Sequence, residues 1–280
     1  MPPQPTIRAA LQGATAHGLA RPDAQMLLLH ALGHDSHDRA WLLAHDCDLV
    51  SSAVAARFSA LCAKRQSGEP IAYLIGTKEF YGLALQVDRR VLDPRPDTET
   101  LVDWALQLIP MDQPWRLLDL GTGSGAIALA LAHERPLCEV WATDRSVDAL
   151  QVARENAMQL GLTLQFRTGD WLDAMDRGAT FNLIVSNPPY VAASDPHLSA
   201  LRHEPREALA SGPDGLDDLR TLCATAPSHL QPHSWLLLEH GWDQAPAVRA
   251  LLSAAGLVDV QSRRDLARIE RCSGGRSPAR

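Results

Sequence analysis

From Trp115 onward, short apolar runs alternate with longer segments whose apolar residues recur at helical spacing. The runs have the length and composition of buried strands, and the segments between them have the pattern of amphipathic helices. The predicted strands are residues 116–120, 139–143, 164–168, 181–186 and 235–239, with a closing strand pair from Val258 onward. The predicted helices are residues 100–109, 126–133, 147–160, 217–230 and 244–255. This alternation is typical of a parallel, doubly wound sheet covered on both faces.

The pattern before Trp115 is different. Residues 6–66 carry apolar stripes at helical spacing, with a helix start at Pro22-Asp23, and they predict a small helical bundle. Gly68-Glu69-Pro70 ends the last helix, and residues 71–92 are rich in Tyr, Phe, Val and Leu with a break at Gly82. We therefore predict a helical domain at 1–67, a β-hairpin linker at 68–93 and an α/β domain at 94–280. The tail 274–280 is expected to fray.

Composition narrows the class of protein. The 280-residue chain is 46% hydrophobic and 21% charged, which is typical of a soluble globular protein. Its formal net charge of −7 argues against a general field for binding polyanions. The five cysteines are scattered, and the N-terminus lacks the pattern of a signal peptide, so a cytoplasmic protein without a membrane span is expected. Histidines 17, 30, 34, 37 and 45 match no metal-binding spacing, and no metal site is predicted.

The first strand of the α/β region leads into a glycine-rich loop. Its sequence is Asp119-Leu120-Gly121-Thr122-Gly123-Ser124-Gly125, and glycines at such a turn let the backbone approach a ligand closely. Asp144 ends the next strand, where a carboxylate can bind ribose hydroxyls or cap the following helix beside Ser146. Gly169-Asp170-Trp171 ends the third strand, where the Asp170 carboxylate and the Trp171 indole can hold an adenine ring, although Trp171 can instead belong to the core. These features fit a dinucleotide-dependent oxidoreductase and a methyltransferase equally.

A fourth feature separates these alternatives. The strand at 181–186 ends in Asn187-Pro188-Pro189-Tyr190, and a double proline cannot continue a sheet ladder. The Asn187 side-chain oxygen and the Pro188 carbonyl can accept both N–H bonds of one planar NH₂ group, with Tyr190 as a stacking face. Such acceptors stabilise the positive charge that grows as the nitrogen attacks an electrophile. Hydride transfer needs no such clamp, although the same residues also suit an ordinary turn.

The loop from Asp93 to Glu99, Asp-Pro-Arg-Pro-Asp-Thr-Glu, leaves two interpretations open. Its acidic residues can serve as charges at a helix N-terminus. Alternatively, Arg95 and Glu99 can line the entrance to a substrate site.

Taken together, these motifs resemble the release factor glutamine methyltransferase family. The resemblance rests on the glycine loop, Gly169-Asp-Trp171 and Asn187-Pro-Pro-Tyr190 and on five further segments. Those segments are Gly68-Glu-Pro-Ile-Ala-Tyr73-Leu-Ile-Gly76, Val91-Leu-Asp-Pro-Arg-Pro-Asp-Thr-Glu99, Glu204-Pro followed by Ala208-Leu, Gly212-Pro-Asp-Gly-Leu216 and Glu239-His-Gly241-Trp. Asp93 departs from the family pattern, which has an apolar residue there.

The resemblance implies a Rossmann-like class I methyltransferase domain with a mostly parallel seven-stranded sheet. S-adenosylmethionine would be held by residues 121–125, Asp144, Trp171 and Asn187, and S-adenosylhomocysteine would be the product. The substrate would be the glutamine amide of the Gly-Gly-Gln loop of a peptide chain release factor, bound by Asn187, Pro188, Pro189 and Tyr190. The helical domain would grip the release factor or merely stabilise the protein.

Other functions remain as alternatives. An adenine-N6 methyltransferase acting on DNA or RNA would use the same clamp. An NAD-dependent dehydrogenase and a non-catalytic binding module are less consistent with the combined motifs. The resemblance implies neither a metal nor a stable nucleic-acid partner.

Overall fold

The structure is a computed structural model that describes residues 4–279, and it divides between Thr77 and Lys78 into two compact units. Residues 1–3, at the start of the predicted helical domain, and Arg280, at the end of the predicted tail, lie outside the described residues. Within the described part, no helix combines the length and the apolar character that crossing a membrane requires.

The first unit is helical, as predicted. Side chains at Thr6, Asp38 and Ser51 accept hydrogen bonds from the first-turn amides of the helices that follow them. Buried leucines at positions 27, 28 and 29 of the second helix belong to a core to which each of the other four helices also contributes, through Ile7, Leu42, Phe58 and Leu74. The helices are α1 (Ile7–Ala16), α2 (Arg21–Leu32), α3 (Arg39–Ala44), α4 (Ser52–Gln66) and α5 (Ile71–Ile75).

Helix α5 corrects the prediction that a hairpin begins at residue 71. The hairpin is shorter, with strands β1 (Thr77–Phe80) and β2 (Leu83–Gln86) joined through Tyr81 and Gly82, both at positive φ. Pro70 precedes α5, and Gly76 ends it at φ +85°. Ala72 and Leu74 are buried, so helical packing overrides the strand preference of Ile and Tyr.

The second unit contains a seven-stranded sheet of β3 (Arg116–Leu120), β4 (Glu139–Asp144), β5 (Gln165–Thr168), β6 (Phe181–Ser186), β7 (Leu230–Glu239), β8 (Val258–Arg264) and β9 (Glu270–Arg276). Across the sheet the strands lie in the order β5-β4-β3-β6-β7-β9-β8. The first five of these strands are parallel, and β9 runs antiparallel to both of its neighbours. The mostly parallel seven-stranded sheet is therefore confirmed. The helices of this unit are α6 (Glu99–Leu108), α7 (Ala126–Glu134), α8 (Val147–Leu160), α9 (Asp217–Thr225) and α10 (Ala245–Ala254).

Alternate residues of the central strands enter two separate cores. Leu183 of β6 packs into the core that contains α6 and α7, whereas Ile184 packs into the core that contains α9 and α10. Burial on both faces explains why β6 is an almost continuous apolar run. The strand order reverses between β3 and β6, so the loops that follow these two strands diverge and leave a crevice at the carboxyl edge of the sheet.

Several predicted boundaries were wrong, among them the start of β7, which begins at Leu230 and not at residue 235. Helix α9 ends at Thr225, and a 3₁₀ turn over Ala226–His229 leads into β7, because Pro227 has no N–H to continue the helix. The tail from residue 274 does not fray at its start, since residues 274–276 belong to β9 and Ser277 exchanges backbone hydrogen bonds with His233 and Ser234.

Candidate active site

A cavity of about 320 Å³ lies at the crevice between the β3 and β6 loops. Its volume is within the range of small-molecule and cofactor sites, roughly 300–1,000 Å³. The predicted site residues that line it are Gly121, Gly123, Asp144, Trp171, Asn187 and Pro189. Thr122, Ser124, Gly125, Pro188 and Tyr190 are not among the lining residues. They occupy the same loops, where they determine the positions of the residues that do line the cavity.

The glycine loop is held against the sheet by backbone and side-chain bonds. The Thr122 amide donates to the Thr143 carbonyl at 2.8 Å, and the Thr122 hydroxyl donates to Asp119 Oδ2 at 2.6 Å. Gly121 has φ +72°, and a Cβ there would lie 3.1 Å from the Trp171 ring. Glycine therefore permits both the turn and the close approach of the indole to the loop.

Asp144 connects the glycine loop to helix α8. Its Oδ2 accepts from the Gly123 amide at 2.9 Å, and its Oδ1 accepts from the Ser146 amide at 2.8 Å. Ser146 itself caps α8 through the Ala149 amide. Asp144 therefore lines the cavity and also helps to fix the start of α8, while its binding of ribose hydroxyls stays a prediction. Burial raises the pKa of this carboxyl, and the two amide hydrogen bonds oppose that shift.

Trp171 and Asp170 form another side of the cavity. Trp171 begins a 3₁₀ turn that ends at Ala174, and its backbone has φ +46°, in the left-handed region. A Cβ at Gly169 would come within 2.8 Å of the Ala174 backbone, so only glycine allows this turn to fold so tightly. The indole is half-buried and also packs on the core, so the two interpretations of Trp171 are compatible.

These surroundings suit a nucleoside-containing cofactor. The cavity offers backbone glycines at a strand-to-helix turn, a carboxylate at the end of the neighbouring strand and an indole beside a second carboxylate. Backbone amides and the Asp144 carboxylate provide polar partners, and the Trp171 ring provides a flat apolar face. The residues present therefore fit the predicted cofactor, S-adenosylmethionine.

The Asn187 side chain is oriented at the same cavity. Its Nδ2 donates to the Thr98 hydroxyl oxygen at 3.2 Å. Because the donor end of the amide is engaged, the acceptor end, Oδ1, remains available to a ligand. Asn187 follows β6 directly, and Pro188 is buried behind it.

Tyr190 is held from two directions. Its hydroxyl donates to Glu239 Oε1 at 3.2 Å, and its carbonyl accepts from Gln244 Nε2 at 3.0 Å. A Cβ at Gly215 would lie only 2.2 Å from that carbonyl, which explains why a glycine at φ +77° stands there. Burial raises the pKa of the Tyr190 phenol, so it stays protonated and acts as a hydrogen-bond donor.

Two buried carboxyl groups lie behind the cavity. Asp119, in β3, accepts from Thr122 and from the Ala128 amide at 3.3 Å, and burial raises its pKa to about 7. Burial likewise raises the pKa of Glu239, at the end of β7, to about 7. Both shifts arise because a charged carboxylate loses its hydration when it is buried.

The loop from Asp93 to Glu99 is tied down by ion pairs. Arg95 Nη2 bonds to Glu204 Oε1 at 2.6 Å, and Asp93, which replaces an apolar residue of the family pattern, lies between Arg95 at 3.4 Å and Lys78 at 3.5 Å. Glu99 Oε1 accepts from the Tyr81 amide at 3.0 Å. Arg95 and Glu99 thus contact different partners, and neither of them lines the cavity.

Sequence reasoning did not assign roles to Thr98, Glu239 or Asp119. Thr98 and Glu239 lie within segments that carry the family resemblance, and an acidic residue that follows the apolar run Leu236–Leu238 indicates a carboxyl at the same sheet edge. Further residues line the cavity without having been predicted, and they are Arg90, Val91, Leu92, Arg145, Ser146, Ala149, Pro205, Glu207, Ala208 and Asp218.

Comparison with known proteins agrees with this geometry. Residues 6–76 match the PrmC N-terminal domain, and residues 100–213 match the methyltransferase small domain. The chain resembles a methyltransferase structure from Pyrococcus furiosus, with a TM-score of 0.57 and 17% identity over 77% of this chain and 99% of that one, which shows the fold alone.

Curated relatives match over almost their whole length. The release factor glutamine methyltransferase of Xylella fastidiosa (strain Temecula1) is 51% identical over 96% of this chain and 98% of its own. The enzyme of the same name from Escherichia coli is 42% identical over 96% of this chain and 97% of its own. With a glycine loop, an Asp144 bridge and an oriented Asn187 at one cavity, and with relatives of this identity and coverage, the chain belongs to the release factor glutamine methyltransferase family.

Proposed function

We propose that this protein transfers a methyl group from S-adenosylmethionine to the side-chain amide nitrogen of the glutamine in the Gly-Gly-Gln loop of a peptide chain release factor. The glycine loop and Asp144 bind the cofactor beside Trp171 and Asp170. Asn187 and Pro189 lie at the same cavity and receive the substrate amide.

The observation that carries this proposal is the orientation of Asn187. Its Nδ2 is bonded to Thr98, which makes Oδ1 the atom that accepts an N–H of the substrate. We assign the second acceptor to the carbonyl of Pro188 on the same loop, although the Pro188 side chain is buried and does not line the cavity. When bound, S-adenosylmethionine supplies the methyl carbon, which its sulfonium activates. Held by the glycine loop and Asp144, the cofactor would give this carbon to the amide nitrogen as the carbon–sulfur bond breaks, and the nitrogen would then lose a proton to solvent. The two acceptors stabilise the positive charge on the nitrogen and align its lone pair.

A protein substrate suits the charge of the chain better than a nucleic acid. The formal net charge of −7 disfavours a phosphate backbone, which basic side chains must neutralise. We therefore propose release factors in the cytoplasm as the partners of this protein, and we expect no stable nucleic-acid partner.

The direct test incubates the protein with methyl-labelled S-adenosylmethionine and a purified release factor. A factor with Gln→Ala in its Gly-Gly-Gln loop is the substrate control, and Asn187→Ala is the enzyme control. We expect label on the normal factor only, and a loss of at least about 100-fold in rate for Asn187→Ala with cofactor affinity mostly kept. Label on DNA or RNA instead of the factor would assign the clamp to adenine, and no label on any substrate would contradict catalysis.

We further propose that the helical unit recognises the release factor. The cavity is lined entirely by residues from Arg90 to Asp218, so cofactor binding does not require the first unit. Deletion of residues 1–77 is expected to leave the S-adenosylmethionine dissociation constant within about twofold while the KM for release factor rises at least about tenfold. An unchanged KM would show that the helical unit only stabilises the protein.

A further inference from the structure

The strands β6 and β7 place a glutamate beside the clamp loop. Ser186, the last residue of β6, is in register with Leu238 of β7. The next residue on each strand is therefore Asn187 on one side and Glu239 on the other. The Glu239 side chain is buried, with only 1% of the residue exposed.

Glu239 contacts one end of the clamp directly and reaches the other end through Thr98. Tyr190, the last residue of the loop, donates its hydroxyl proton to Glu239 Oε1 at 3.2 Å. The hydroxyl of buried Thr98 lies beside the same carboxylate and acts to lower the pKa of Glu239. Asn187, the first residue of the loop, donates from Nδ2 to that Thr98 oxygen. One carboxylate thus connects to both ends of a four-residue loop.

This connection favours one of the two orientations of the Asn187 amide. Thr98 Oγ1 can accept from Asn187 only if its own proton points elsewhere, and the Glu239 carboxylate beside it is an acceptor for that proton. A carboxylate cannot donate a hydrogen bond when ionised, so it favours the arrangement in which Thr98 accepts from Asn187. That arrangement leaves Asn187 Oδ1 for the substrate, as amide methylation requires.

Burying the Glu239 carboxylate costs free energy, which only its interaction partners can offset. Burial penalises the charged form strongly, and Oε2 has no hydrogen-bond partner within residues 4–279. The titratable or charged groups that act on it are Tyr190 in the clamp loop, Asp97 before α6, and Arg271 and Cys272 on β9. Among these, Arg271 favours the ionised form, whereas Asp97 opposes it.

We propose that Glu239 is a positioning residue of the methyl-transfer site, which holds Asn187, through Thr98, and Tyr190 in the orientation that binds a substrate amide. This inference rests on the proposed function. It adds a specific role for a residue that does not line the cavity.

The test compares the wild-type protein with Glu239→Gln, Thr98→Val and the double variant. Glu270→Gln is the matched control, because Glu270 lies on the neighbouring strand β9 and pairs with Arg249 of α10, away from the clamp. We expect Glu239→Gln to lower kcat for release factor by about 10- to 100-fold while the cofactor dissociation constant and the melting temperature change little. The control is expected to retain wild-type kinetics.

Two further readouts separate positioning from a structural role. The double variant should lose no more than the worse single variant, since Thr98→Val acts through Asn187, which Glu239→Gln already releases. The wild-type kcat should also rise with pH through about 7 as Glu239 ionises, and this limb should vanish in Glu239→Gln.

The inference would be overturned if Glu239→Gln kept the wild-type kcat. It would also be overturned if this variant lost cofactor affinity and stability to the same extent as it lost activity. If Glu239→Gln does not fold, Thr98→Val alone decides, because the inference requires the same selective loss of kcat there. Absence of methylation by the wild-type protein would instead contradict the proposed function itself.

Discussion

At the scale of single residues, Asp144 joins two of the elements that line the cofactor cavity. Its two oxygens each accept one backbone amide, from Gly123 and from Ser146, at 2.9 and 2.8 Å. The carboxylate therefore fixes the glycine loop and the start of α8 in one arrangement. Substitution by a side chain with a single acceptor would leave one of these amides without its partner.

We therefore expect Asp144→Asn to weaken S-adenosylmethionine binding by about 10-fold or more. The basis is that an unpaired, partly buried amide costs about 1–3 kcal/mol. Isothermal titration calorimetry measures the effect, with Asp148→Asn as a control because Asp148 is exposed on the first turn of α8 and does not line the cavity. Equal affinities for the two variants would contradict this role of Asp144.

At the scale of elements, the boundary between β3 and α7 depends on close packing. Gly125 precedes α7 at φ +85°, and a Cβ there would lie 2.9 Å from Leu129 Cδ1 and 3.2 Å from Ala153 Cβ. Leu129 belongs to α7 and Ala153 to α8. The glycine thus lets these two helices pack against the loop that lines the cavity.

Gly125→Ala is expected to destabilise the second unit by about 2–5 kcal/mol, because left-handed strain of about 1–2 kcal/mol adds to overpacking of about 1–3 kcal/mol. Gly161→Ala is the matched control, since Gly161 ends α8 at φ +67° with no atom within 4 Å of the added Cβ. The control should lose only the strain. Urea unfolding of both variants measures the difference, and equal losses would show that packing at Gly125 is not tight.

The elements also show what a sequence can predict. The bounds of β3 and β6 were predicted correctly, because glycine or proline follows each buried run and ends the strand. Gly121, Asp144 and Asn187 were correctly placed at one sheet edge, since all three follow or end parallel strands. The roles of Thr98 and Glu239 were missed because they depend on side-chain contacts across 89 and 49 residues of chain. Helix α5 was missed because burial in the helical core overrode local preference.

At the scale of the whole molecule, the carboxyl edge of the sheet concentrates buried acids. Burial raises the pKa of Asp119 and of Glu239 to about 7, and it raises that of Asp144 as well. The folded state therefore holds protons that the unfolded chain releases at lower pH. Buried His240, whose pKa is lowered by burial, acts in the opposite direction. The pH dependence of stability is the sum of these terms.

Asp119 allows one of these contributions to be isolated. Its folded pKa of about 7 exceeds the ordinary value of 3.8, so its stabilising contribution is complete below pH 4 and is lost as pH rises to 7. Each pKa unit corresponds to about 1.4 kcal/mol, so the loss approaches about 4 kcal/mol. Asp119→Asn removes this titration, and any cost of the amide that does not depend on pH cancels from the slope.

We therefore expect the melting temperature of the wild-type protein to fall relative to that of Asp119→Asn by several degrees between pH 5 and 8. Calorimetry across this range measures the difference, and exposed Asp148→Asn should run parallel to the wild type. A constant difference would mean that Asp119 titrates as it does in the unfolded chain. A difference in melting temperature that changes with pH would instead show that the buried Asp119 carboxyl lowers stability near neutral pH. A cationic cofactor bound at this edge of the sheet would favour the ionised carboxylates at that pH.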